Sequence, residues 1–128
     1  MIESRETDRS VEEVGRALEE GAPELGLSVL NAHDLAAKMT EKGHPFGPAV
    51  RVYDVCSAPD AHRVLSTRLE IATALPCRIA VYEEGDKTHL ATLQPTVLLA
   101  LFREKSLVPV AQDVESRIVR LMDHAAHG

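Results

Sequence analysis

The stretch from Cys77 to Leu93 constrains this fold more than any other part of the chain. Cys77 to Glu83 and Thr88 to Leu93 both read as strands, and Glu84-Gly85-Asp86-Lys87 between them reads as a turn, so the pair returns antiparallel as a hairpin. A hairpin here breaks the β-α-β alternation that a doubly wound parallel sheet requires. The surrounding periodicities give the order β-α-β-α-β-α-β-β-α-α. The expected fold is therefore α+β: a single, mostly antiparallel sheet with helices packed on one face. No repeat or linker-like tract divides the 128 residues, a usual size for one domain, so residues 1–128 are read as a single α+β domain.

Local signals place the elements. Met1 to Asp8 alternates weakly and suits a short edge strand. Ser10 and Glu13 have capping-box spacing, Val11, Val14, Ala17 and Leu18 share one face, and Gly21 is the stop. Leu25 to Asn31 reads as a strand with Leu27, Val29 and Asn31 on one side; Asp34 then caps a short helix that ends at Gly43. Val50 to Cys56 is a strand, and Ser57 caps the next helix with Asp60 three residues on and Pro59 in the first turn. Val64 and Leu65 face inward on it, and Leu75-Pro76 stops the chain before the hairpin. Pro95 starts a short helix, and Pro109 opens the last one, where Val110, Val114, Ile118, Leu121, Met122 and Ala125 form a buried stripe.

Composition excludes several classes. A net charge of -6 and the absence of Trp argue against a nucleic-acid partner, which needs clustered cations and stacking rings. The longest strongly apolar run, Val97 to Phe102, falls far short of the roughly 20 residues that cross a bilayer, so no membrane partner is expected. Acids in Met1 to Glu6 stand where a signal peptide is basic, and a cytoplasmic protein is the expectation. Two cysteines in a chain of this length read as reduced thiols.

Those thiols are the main candidates for chemistry. Cys56 ends a strand just before a helix N-cap, where the positive end of the macrodipole and nearby amides favour thiolate. Cys77 begins the next strand, and His62 lies on the second turn of the intervening helix. Cys56, Cys77, Ser57 and His62 are thus the ligand-binding or redox candidates, and Cys56, Cys77 and His62 the candidate metal ligands, one short of a closed zinc site. Whether the sulfurs meet depends on topology: antiparallel neighbours bring them to one end of the sheet, whereas parallel strands separate them by about a strand length, roughly 20 Å. Free cysteine also often fills space, and Cys77 shares strand parity with Ile79 and Val81. The pair His124 and His127 reads as a solvated tail, His33 and His44 as surface residues, and Glu12-Glu13 with Glu19-Glu20 as a solvated helix face. No phosphate loop, G-x-S-x-G elbow or H-E-x-x-H is present, which leaves hydrolase and nucleotide-binding readings without support.

The pieces Arg51-Val52-Tyr53-Asp54-Val55-Cys56, Ala61-His62-Arg63-Val64-Leu65 and Leu75-Pro76-Cys77 with Ile79-Ala80-Val81-Tyr82-Glu83 resemble the domain of unknown function 302. Weaker echoes are Leu25 to Leu30 and Pro95 after the hairpin. The resemblance covers nearly the whole chain. It implies a compact α+β domain with a fold compared to the TATA-box-binding-protein-like class, and it implies no activity. The family pattern has Cys-Asn-Pro where this chain has Cys56-Ser57-Ala58-Pro59; serine keeps the capping role of asparagine.

The apolar helix Val97 to Phe102 has no polar face, so a homodimer that buries this segment is expected. The functional expectation is a non-enzymatic module for a small ligand or protein, because no complete catalytic constellation is visible. The alternative is a thiol-based redox or metal-handling protein that uses Cys56 and Cys77.

Overall fold

The computed structural model describes residues 1–128. Its five strands are β1 (Ile2–Thr7), β2 (Ser28–Asp34), β3 (Val50–Cys56), β4 (Cys77–Glu84) and β5 (Lys87–Leu93). They form one sheet in the order β1-β5-β4-β3-β2, antiparallel at every pairing. The expected hairpin is β4–β5, closed by Gly85-Asp86 with Gly85 at φ 67, a left-handed conformation that glycine adopts without penalty. β1 occupies one edge and β2 the other.

Helices α1 (Val11–Gly21) and α5 (Val108–His127) pack on each other across the face that carries Tyr53, Val55, Ile79, Val81 and Leu90, all buried. The capping box of α1 is formed in full by Ser10 and Glu13. Gly15 sits where α1 crosses Tyr53: a Cβ there would collide with the phenol hydroxyl and come within 2.9 Å of Cζ. The predicted stripe of α5 is buried at Val110, Ile118, Leu121, Met122 and Ala125. α5 continues to His127, and His124 packs on Gly21, so the pair read as a solvated tail ends a docked helix. Short helices α2 (Leu35–Glu41), α3 (Ala58–Thr67) and α4 (Pro95–Ala100) complete the fold, with Asp34 accepting from the Ala37 amide as the α2 cap.

The sequence reading misses in β2. β2 starts at Ser28, not Leu25, because Pro23–Leu25 winds into a 3-10 turn closed by Gly26 at φ 70. A register shift between Val29 and Asn31 then places Asn31 opposite Asp54, on the face away from α1 and α5. The connection after α3, Leu69–Ala74, is a 3-10 helix that buries Ile71. Ile71, Val64, Leu107 and Val110 make a small apolar cluster apart from the main one, and Val114 of α5 touches both.

Candidate functional site: a thiol-lined cleft

Cys77 lies opposite Val55 across the β3–β4 pairing, so Cys56 and Cys77 sit at the same end of adjacent antiparallel strands. That resolves the topological alternative in favour of proximity. Both cysteines are free, and both line one cleft of about 40 Å³, room for roughly three waters. Its other walls include Leu27 and Ile118 on the main-core side and Val64, Leu99 and Val110 on the small-cluster side. The cleft therefore follows the seam between the two apolar clusters.

The electrostatics reverse the expectation for sulfur. Burial, then the Asp60 carboxylate, raises the Cys56 thiol above its ordinary pKa. Burial, then the charge of Cys56, pushes Cys77 up to about 11. Desolvation disfavours an anion, and the Asp60 charge acts in the same direction on Cys56. Both thiols are protonated at neutral pH. Ser57 occupies the N-cap position of α3, yet its side chain accepts no bond from a helix amide. Its hydroxyl donates instead to Asp60.

Asp60 closes one side of the cleft. Burial works to raise its carboxyl, but bonds from Ser57 and Arg117 outweigh that and hold it below the usual range. Arg117 also donates to the carbonyls of Leu25 at 3.2 Å and Gly26 at 3.5 Å, and its guanidinium lies 2.9 Å from Asp113. One arginine of α5 thereby ties α3 to the turn before β2. His62 is exposed on α3 and outside the cleft, and no three His, Cys, Asp or Glu side chains converge on a metal-binding point. The three-ligand set Cys56, Cys77 and His62 is not assembled: the α3 register that turns Ala61 and Val64 to the cleft turns His62 to solvent.

Sequence reasoning missed a second polar group. Asp54, only 6% exposed, lies on the sheet face away from α1 and α5, where His33 donates to Oδ2 over 2.9 Å. Arg78 Nε is 3.3 Å from Oδ1 but off the line of a hydrogen bond, so that oxygen is compensated by charge alone. The available signal was an aspartate within an otherwise apolar strand run, because carboxylates are rarely buried unpaired. His33 is thus hydrogen-bonded to Asp54 and not a free surface residue.

A five-stranded antiparallel sheet under two helices, with a thiol pair in an apolar seam, defines an α+β module. The family model for the domain of unknown function DUF302 matches residues 3–125, and the chain belongs to that family. It is similar to the crystal structure of an uncharacterized conserved DUF302 protein from Bacillus stearothermophilus, with a TM-score of 0.91, 28% identity and coverage of 97% of each chain. No curated protein matches the chain. No helix is long and apolar enough to cross a membrane.

Proposed function

We propose that this protein is a non-enzymatic binding module whose site is the thiol-lined cleft, and that it takes the apolar part of a small, uncharged ligand. One observation carries the reading: the cleft is apolar, and both sulfurs in it are held as thiols, a lining suited to burying hydrocarbon and poor at nucleophilic attack. A ligand larger than a few waters has to part the small cluster from the main core. Amide NMR with benzene and then Nile red as probes tests this. Saturable shifts at Cys56, Ala61, Val64 and Leu98 are expected, and Ala74→Phe, which fills the cleft, should remove them. Shifts that do not saturate, or that persist in Ala74→Phe, overturn the proposal.

A second reading, thiol redox or metal handling, draws support from the two reduced cysteines at one end of adjacent strands. In it, Cys56 and Cys77 lose two protons and two electrons to an oxidant and join as a disulfide, or their thiolates hold a soft monovalent ion such as copper(I). Diamide treatment should then yield a protein lighter by two hydrogens that no longer alkylates, and bathocuproine competition should report tight copper(I) binding. Failure of both ends this reading and leaves the first intact.

The expected homodimer through Val97 to Phe102 keeps one supporting feature, Leu101 at 72% exposure, since Val97, Leu98, Leu99 and Phe102 are half-buried within the chain. A species of 14.0 kDa by light scattering at tens of micromolar would remove it. The reduced cysteines and the net charge of -6 support a cytoplasmic protein that does not bind nucleic acid.

A further inference from the structure

Adjoining the thiol cleft at Leu99, a groove of about 440 Å³ runs between α4 and the start of α5. That volume lies within the range of small-molecule sites, roughly 300–1,000 Å³. Leu99, Leu107, Val108 and Ala111 supply apolar walls, and Arg103 and Lys105 also line it.

The charges in the groove are unequal in their pairing. Glu104 lies 3.7 Å from Arg68, and Glu115, adjoining at Thr96, accepts from the Thr96 amide and hydroxyl. Arg103 and Lys105 take part in none of the molecule's ion pairs or side-chain hydrogen bonds. Arg16, Lys38, Lys42, Arg63 and Arg120 also lack ion pairs, so what sets Arg103 and Lys105 apart is that both border this apolar groove. Arg103 is also the one non-glycine residue with positive φ, at 57, just past the end of α4. Glycine commonly takes such positions after a helix, and a strained side chain held there points to a use for that side chain.

We propose that this groove binds an alkyl carboxylate, with the tail on Leu99, Leu107 and Ala111 and the carboxylate between Arg103 and Lys105. An apolar wall bordered by unpaired cations is complementary to a molecule that is hydrocarbon along its length and anionic at its tip. The proposal is independent of the thiol cleft, although Leu99 borders both.

Decanoate is the probe, with decanol as its uncharged match and acetate as the charge without the tail, each followed by calorimetry and amide NMR. Decanoate should bind saturably with shifts at Leu99, Lys105 and Ala111, about tenfold tighter than decanol, and acetate should not bind. Arg103→Gly relieves the backbone and so keeps the fold, yet with Lys105→Gln it should weaken decanoate at least tenfold. Ala74→Phe, which blocks the cleft, should leave decanoate affinity unchanged. Equal binding of decanol and decanoate, or indifference to the two substitutions, overturns the proposal. Loss of decanoate binding in Ala74→Phe overturns it too, by assigning the ligand to the cleft. Light scattering on the same samples reads whether a second copy fills the groove instead; a dimer that decanoate cannot compete with also overturns it.

Discussion

The molecule has two apolar regions of very different size. Fifteen buried residues join α1, α5 and the sheet, whereas Val64, Ile71, Leu107 and Val110 form a cluster of four under α3, α4 and the 3-10 helix Leu69–Ala74. Side chains in the larger region are locked from several directions, so a void there stays a void. The smaller region rests on short helices and adjoins both the cleft and the groove, and it has space to relax into. Local opening follows the element with the fewest buried contacts. The candidate sites sit at the weaker region, which is where a ligand can be admitted without unfolding the protein.

The comparison is most exposed to failure in a pair of truncations. Leu121→Ala in the main core should cost about 4 kcal/mol in urea unfolding, and Leu107→Ala in the small cluster about 2 kcal/mol, because only the second site can collapse. Equal losses would mean that the two regions pack alike.

Alkaline pH gives the next largest effect. Cys77 holds its proton up to about 11, above the unfolded thiol, so its contribution is complete below about pH 8.5 and is lost as pH rises toward 11. Stability should fall by about 3 kcal/mol across that window, and Cys77→Val should flatten the fall. An unchanged slope in the variant would remove burial as the cause.

Gly15→Ala adds a methyl against Tyr53 and should cost about 2 kcal/mol, even though alanine favours helix. Tyr53→Phe in the same chain should restore part of that loss. Without any restoration, the tight crossing of α1 over the sheet is not what limits this position.

The smallest effect expected is at Asp60, whose carboxyl is held below its usual range. That stabilisation is present above about pH 4 and disappears as pH falls through the folded-state value. Asp60→Asn should cost about 1 kcal/mol at pH 7 and make the acid limb shallower, read by thermal melts from pH 7 to 3. Hydrogen exchange should also quicken in α3 more than in α1; equal change in both would deny that Arg117 ties α3 to α5 locally.

Much of the fold was legible because its signals are short-range. The Ser10–Glu13 box, the hairpin turn, the Asp34 cap and the buried stripe of α5 each rest on residues within a few positions of one another. The site was legible only in its parts. Cys56 and Cys77 could be named, but the helix-end argument gave the wrong sign for Cys56. Asp60 was visible three residues from Ser57 as a capping partner, while its charge toward the sulfur was not.

By itself the sequence determined which segments become strand or helix, since periodicity, caps and turn residues act over a turn or two of chain. Only the tertiary structure decided that β1 joins β5, that β3 lies beside β4 so the thiols share an end, and that Arg103 and Lys105 go unpaired. Pairing order, burial and the partners of a charge depend on groups distant in sequence, and solvent exclusion, which sets the thiol pKa, exists only once those groups have packed.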